Sequence, residues 1–338
     1  MNYFVAQSCM VVNMLVGDTP FCPSDVRAIK LRDVWTERFM EHCSRFGLSF
    51  ATKHEFDYRF AIFVETEHEI ERINQEPGNT FKVGHNMFST MTELEKKRLL
   101  GEFKDVPQME DNYTVLPVED LADSVDWRAK GVVNPVQDQG QCGSCWTFAA
   151  AAAMESRLAI NTGKLVKLSE QQFVDCDDQC AGCQGGLARL AFDYAQTHPV
   201  ELESDYPYKA ANQQCTSDAT KGRAKNTAYT LVTPSSMDQL VAALNNGPVS
   251  VSVAAGNNYF RLYTGGVLNN PACGKALDHA IVAVGYGTDA DTNTPYYIVR
   301  NSWGTKWGEA GYIRMARVAG DGQCGIQIRP VWPNTVDA

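Results

Sequence analysis

The run Cys145-Trp-Thr-Phe-Ala-Ala-Ala-Ala-Ala-Met-Glu-Ser-Arg-Leu-Ala-Ile160 constrains this chain more than any other stretch. It is rich in alanine and has no internal Gly or Pro, so it reads as a buried helix. Gly143-Ser144 supplies an entry and Asn161-Thr-Gly163 a stop. Cys145 then falls at or just inside a helix N-terminus, where unpaired N–H groups and the helix dipole favour a thiolate. The thiolate is the reactive form of cysteine, so this placement points to chemistry rather than packing.

The segment around it, Cys142-Gly-Ser-Cys145-Trp146, resembles the nucleophile motif of papain-like cysteine proteases, meaning cathepsin L and its relatives. The resemblance runs from about Val26 to the C-terminus. It implies an α+β fold: a papain-like two-lobe protease, with a helical lobe (about 129–230) and a strand-rich, barrel-like lobe (about 231–338). A small helical propeptide domain precedes it.

Composition agrees with a globular enzyme. The 338 residues are 44% hydrophobic and 21% charged, enough for more than one folding unit. A formal net charge of -10 argues against nucleic acid as the main partner. Residues 1–120 hold 20 acidic and 13 basic side chains and residues 121–338 hold 20 and 17, which supports two parts with different roles. Eleven cysteines suggest an oxidising compartment, and the odd number leaves at least one thiol free in a single chain. No run of about eighteen apolar residues exists, so no membrane span is expected. Residues 1–25 are a candidate signal peptide, argued from the cysteines and the family, because Phe4 to Val16 is broken by Gln7, Ser8 and Asn13.

Residues 26–103 read as the propeptide. Trp35, Phe39, Cys43 and Phe46 recur at helical spacing, as do Phe56, Phe60, Phe63, Ile70 and Ile73, and Gln75-Glu-Pro-Gly78 ends the second helix. Glu55, Arg59, Phe63, Ile70 and Asn74 are similar to the helical motif of cathepsin L-type propeptides, with Thr66 where the family has Asn. Gly84-His-Asn-Met-Phe88 resembles its second motif, with Thr90 where the family has Asp. A threonine cannot titrate as that acid would, so a weaker or shifted pH trigger is expected. Residues 104–120 are an exposed linker, with a sequon at Asn112-Tyr-Thr114. Ser124-Val-Asp-Trp-Arg128 resembles the start of the mature enzyme (121–338), which places cleavage near Val118–Asp123. In the mature part, Val249–Val253, Ile281–Val284, Tyr296–Val299 and Tyr312–Met315 read as strands between Gly-rich turns.

A cysteine nucleophile needs a base. Of six histidines, only His198 and His279 lie in the mature part; His198 sits in a polar turn, and His279 enters an apolar strand. The separation of 134 residues from Cys145 lies in the family's range, so the resemblance assigns His279 as the base. It also assigns Asn301 to orient the imidazole, Trp303 to shield that contact from water, and Gln139 to the oxyanion hole with the Cys145 N–H. Disulfides Cys142–Cys183, Cys176–Cys215 and Cys273–Cys324 follow from the family pattern. They leave Cys180 over, read as a free thiol in an exposed loop. The spacing of Cys176, Cys180 and Cys183 admits zinc, but no His is near and disulfides explain two of the three.

The substrate cleft implied by the resemblance comprises Gly185, Gly186, Leu187, Ala188, Ser252, Leu277, Asp278, Ala280, Trp303 and Arg329. Its second-residue pocket would be walled by Leu187, Ala188, Ser252, Leu277 and Ala280, with Arg329 at the floor. A guanidinium there would admit Glu or Asp beside the usual aliphatic side chains. The expected function is a cysteine endopeptidase made as a zymogen, acting through a thioester acyl-enzyme, with no cofactor and no metal. The absence of a His-bearing insertion after Tyr206-Pro-Tyr208 favours endopeptidase over exopeptidase. Expected partners are protein or peptide substrates, the chain's own propeptide and cystatin-type inhibitors, for a monomer that is secreted or held in a lysosome-like acidic compartment. The competing reading is a catalytically inactive protease-like binding or inhibitor protein.

Overall fold

The structure is a computed structural model that describes residues 23–103 and 112–338. Most of the candidate signal peptide and residues 104–111 of the linker lie outside the described residues. The chain divides into two compact units, residues 1–60 and 61–338.

In the first unit a helix spans Pro23–Phe46, and a second helix, Lys53–Asn74, begins. Phe39 is fully buried there and meets the rings of Phe50, Phe56 and Phe60 at 5.1–6.0 Å. Phe56 and Phe60, four residues apart on the second helix, share the face that meets Phe39 of the first helix, and Phe50 joins them from the connection between the two helices.

In the second unit the described residues contain nine strands: β1 (Phe81–Val83), β2 (Val125–Asp126), β3 (Ala224–Leu231), β4 (Val249–Val253), β5 (Tyr263–Leu268), β6 (His279–Thr288), β7 (Pro295–Arg300), β8 (Tyr312–Ala316) and β9 (Val331–Asp337). They pair in the order β1-β5-β8-β7-β6-β4-β9-β3, with β2 on β6. Only β5–β8 is parallel. β6 is buried in nine of its ten positions and forms the spine of the sheet. The propeptide joins the sheet edge through β1, and Asn74 fastens the preceding helix to it: its Nδ2 donates to the Val83 carbonyl at 2.8 Å and its Oδ1 accepts from the Val83 N–H at 3.0 Å. No described helix is long and apolar enough to cross a membrane.

The alanine-rich run forms the helix Cys145–Thr162. Gly163 ends it at φ 73°, a left-handed position that glycine adopts without steric cost, and its N–H closes on the Ala159 carbonyl at 2.8 Å. Ser144 opens the helix but does not cap it through its side chain; its hydroxyl meets the Tyr208 hydroxyl at 2.5 Å instead. The four strands expected in the mature part lie within β4, β6, β7 and β8. β3 and β9 went unforeseen: β3 lies in a stretch read as helical, and β9 carries Pro333 at an interior position.

Candidate active site

The antiparallel pair β6–β7 builds the first half of the site. Val282 is opposite Arg300, so the same register carried on brings His279, at the start of β6, beside the segment Asn301–Trp303 that follows β7. His279 Nε2 lies 2.8 Å from Asn301 Oδ1. The same oxygen accepts the Ser302 N–H at 2.8 Å, and that second bond fixes which end of the amide faces the ring. An oxygen there accepts, so Nε2 carries the hydrogen and Nδ1 is left with its lone pair. Nδ1 is buried and has no hydrogen-bond partner. Trp303 stacks on the imidazole at 4.5 Å and is itself enclosed by Phe88, Phe260 and Trp307.

The N-terminus of the helix Cys145–Thr162 supplies the second half. Cys145 is the first helical residue and fully buried, and its Sγ accepts from the Ala280 N–H at 3.5 Å, one residue beyond His279. The segment before it is tied down by Cys142–Cys183. Gln139 is also fully buried. Its Oε1 accepts from the Ser302 hydroxyl at 2.6 Å, and its Nε2 donates to the Cys142 carbonyl at 2.8 Å and the Leu99 carbonyl at 3.0 Å.

Leu99 lies just beyond the short helix Glu93–Arg98, and the residues after it run along the site. Gly101 accepts from the Gly186 N–H at 2.9 Å, Glu102 donates its N–H to the Asp278 carbonyl at 3.2 Å, and Phe103 donates to the Gly186 carbonyl at 3.2 Å. Glu102 and Gly186 thereby form a parallel bridge. Gly101 passes so close to Gly143 that a Cβ on it would lie 1.7 Å from the Gly143 carbonyl oxygen. The pieces of this segment are a carbonyl on the amide donor, a glycine over the helix entry and a side chain in the neighbouring pocket.

This cover reverses the acidity expected of Cys145. Burial pushes its thiol up to about 12, and the nearby Glu102 and Asp278 carboxylates add to the rise. Burial also pushes His279 down to about 4 against the pull of Asn301. Both groups are therefore neutral at ordinary pH. The structure thus shows the opposite of the lowered thiol pKa expected from the helix end.

The pocket is a cavity of about 260 Å³. β4, the start of β6 and the approach to β9 form it together: Ser252 is opposite Ala280, and Ser250 is opposite Val331. Leu187, Ala188, Ser252, Ala280 and Arg329 line it, with Glu102. Leu277 does not: it is buried with its side chain beside Gly325. Gly185, Gly186 and Asp278 serve the cleft floor through backbone contacts. Glu102 was missed from the sequence, where nothing marks one acid between Gly101 and Phe103 as buried.

Among the described residues, the other cysteines fall as follows. Cys176–Cys215 and Cys273–Cys324 are bridged, while Cys43, Cys145 and Cys180 are unpaired. Cys180 is half-buried rather than exposed, because Asp177 turns inward and accepts the Gln179 N–H at 3.1 Å. Burial, then the Asp177 charge, raises the Cys180 thiol far above its ordinary value, so it is a poor nucleophile.

Comparison with known proteins agrees with this geometry. Residues 121–334 match the papain family cysteine protease domain, and residues 39–95 match the cathepsin propeptide inhibitor domain (I29). The chain is 37% identical to the senescence-specific cysteine protease SAG12 of Arabidopsis thaliana, over 89% of this chain and 90% of that protein. It is 36% identical to chymopapain of Carica papaya, over 96% and 95%. Among solved structures, a recombinant stem bromelain precursor superposes with a TM-score of 0.81 at 37% identity, covering 88% of this chain and 98% of that one. The chain belongs to the papain family of cysteine proteases and is a cysteine endopeptidase that carries its own inhibitory propeptide.

Proposed function

We propose that Cys145, His279, Asn301 and Gln139 carry out the hydrolysis. The observation that carries this reading is the bare Nδ1 of His279, buried beside the nucleophile's neighbour Ala280 while Nε2 is held by Asn301. In the uncovered enzyme the Cys145 thiol gives its proton to Nδ1, and Sγ bonds to the substrate carbonyl carbon. The oxygen's charge is received by the Cys145 N–H and by the Gln139 Nε2–H that Leu99 occupies in the zymogen. Collapse breaks the C–N bond as the imidazolium returns its proton to the leaving amine. Water then attacks the thioester carbonyl, giving a proton to His279; the C–S bond breaks, the acid product leaves, and the imidazolium returns its proton to Sγ.

Maturation by cleavage near Val118–Asp123 is supported by the exposure of residues 117–120 and 122–124. The resulting enzyme of residues 121–338 acts as a monomer, in a lysosome-like acidic compartment or after secretion, and is open to cystatin-type inhibitors. Two residues weaken acid release of the propeptide. Thr90 is buried and carries no titratable group. Glu102 has its carboxyl pushed up to about 7 from 4.5 by burial, with Asp278 adding to the rise and Ser252 and Arg329 opposing it. Its stabilisation of the seated form is complete below pH 4.5 and is lost as pH rises toward 7. Acidification therefore tightens this contact, and release at low pH must come from other groups.

Active-site titration tests the reading. Activated wild-type chain is expected to take up one equivalent of an irreversible thiol-directed peptidyl inhibitor as activity disappears. The Cys145→Ala chain, processed by an added protease, is expected to take up none and hydrolyse nothing. Residual hydrolysis by the alanine chain would remove Cys145 from the mechanism.

A further inference from the structure

We propose that Tyr208 is a positioning residue for the hydrolysis: its hydroxyl ties together the two backbone stretches that carry the oxyanion donors, the Gln139 amide and the Cys145 N–H. The inference rests on the reading of those two groups as the oxyanion hole.

Each donor is anchored to a different wall of the site. Gln139 hangs on the segment after β7: its N–H donates to the Ser302 carbonyl at 2.9 Å, and its Oε1 accepts from the Ser302 hydroxyl at 2.6 Å. Cys145 begins the helix Cys145–Thr162 on the other wall. The loop between them contains Gly140 and Gly143, and Gly140 adopts φ 59°, so its backbone alone leaves the spacing of the two donors soft. Tyr208 bridges that loop. Its hydroxyl donates to the Gln139 carbonyl at 2.8 Å and lies 2.5 Å from the Ser144 hydroxyl. A phenol has one hydrogen, so with that hydrogen on Gln139 the Ser144 hydroxyl donates to Tyr208 Oη. The result is a chain from Ser144 through Tyr208 to Gln139, in which each bond polarises the next. Ser144 is fully buried and its hydroxyl does not cap its own helix, which leaves it to the tyrosine.

The tyrosine is itself held in place. Its ring meets Phe148 of the nucleophile's helix edge-on at 4.9 Å, and its N–H donates to Glu203 Oε1 at 2.8 Å. Burial raises its hydroxyl above the ordinary phenol value, so it stays protonated while the enzyme works. All of these partners lie in residues 121–338, so the tie outlasts loss of the propeptide.

The test uses enzyme activated from the full chain, with concentrations set by active-site titration. Y208F removes the hydroxyl and keeps the ring against Phe148. It is expected to lower kcat for a short peptide amide by about three- to thirty-fold with KM nearly unchanged, a fraction of what loss of a whole oxyanion donor costs. Ki for a peptidyl aldehyde, whose hemithioacetal oxygen sits in the hole, is expected to rise by the same factor. Alkylation of Cys145 by iodoacetamide, in which Sγ attacks a saturated carbon and no oxyanion forms, is expected to keep its wild-type rate. S144A, which cuts the other link of the chain, is expected to show the same split, and the double variant no further loss than the larger single one. Hydrolysis and aldehyde affinity within about twofold of wild type in both single variants, or alkylation falling in parallel with hydrolysis, would overturn the inference. Q139A separates the two readings. A loss of hydrolysis and aldehyde affinity in Q139A with none in Y208F overturns the role of Tyr208 alone, whereas no loss in Q139A overturns the oxyanion hole and this inference with it.

Discussion

In the unprocessed chain, Gly101→Ala is expected to raise the rate at which a small thiol reagent labels Cys145 by roughly ten- to hundred-fold. The new methyl group would sit 1.7 Å from the Gly143 carbonyl oxygen. Both sides of the clash are backbone, and Gly143 is anchored by its own N–H to the Cys183 carbonyl and by the adjoining disulfide. The propeptide segment must lift. Overpacking of this kind costs about 1–3 kcal/mol, and about 1.4 kcal/mol is a factor of ten in the open population. Lifting also releases the Leu99 carbonyl from Gln139 and Glu102 from its pocket, so the effect spreads along the segment. Mass-spectrometric counting of label on the Cys145 peptide checks it, since Cys43 and Cys180 are also unpaired. An unchanged rate would mean that the segment does not cover the thiol as described.

His279→Ala, activated by an added protease, is expected to lower kcat/KM by about a hundred- to ten-thousand-fold, the usual range for loss of a general acid–base group. The loss should fall on kcat, because the imidazole acts on the proton in flight and lies outside the Arg329 pocket. Asn301→Ala should cost less: the ring stays packed against Trp303 and loses only the acceptor that fixes its tautomer. Equal losses for the two variants would argue that the ring is held chiefly through its amide partner. A histidine that merely fills a core would leave kcat nearly intact.

The central helix was legible because its signals are local: an uninterrupted alanine run, with Gly163 at the one position that needs a left-handed residue. Strands β4, β6, β7 and β8 announced themselves by β-branched and aromatic runs. β3 and β9 did not. Ala224–Leu231 is mostly polar, and Pro333 argues against an interior strand position; each becomes a strand only through pairing with the other. The meeting of His279 with Asn301 depends on the register of β6 against β7, which no spacing along the chain encodes, so only the family resemblance could foresee it. Arg329 was legible as a pocket residue by the same route. Its partner Glu102 was not, because the two lie 227 residues apart and Glu102 is buried only by the fold. Cys180 misled for a local reason. Its polar neighbours suggest exposure, yet Asp177 spends its carboxylate on the turn and draws the loop inward.

These residues converge on one claim: residues 99–103 hold the nucleophile buried and neutral, and the same thiol becomes reactive when they leave. The most direct measurement is the pH profile of Cys145 alkylation, read on its own peptide, in the intact chain and after activation. The intact chain should alkylate slowly, its rate climbing with pH and reaching no plateau between pH 5 and about 9, because burial pushes its thiol up to about 12. The activated enzyme should alkylate readily at mildly acid pH, where the helix end and a protonated His279 favour the thiolate. Two superimposable profiles would contradict the account.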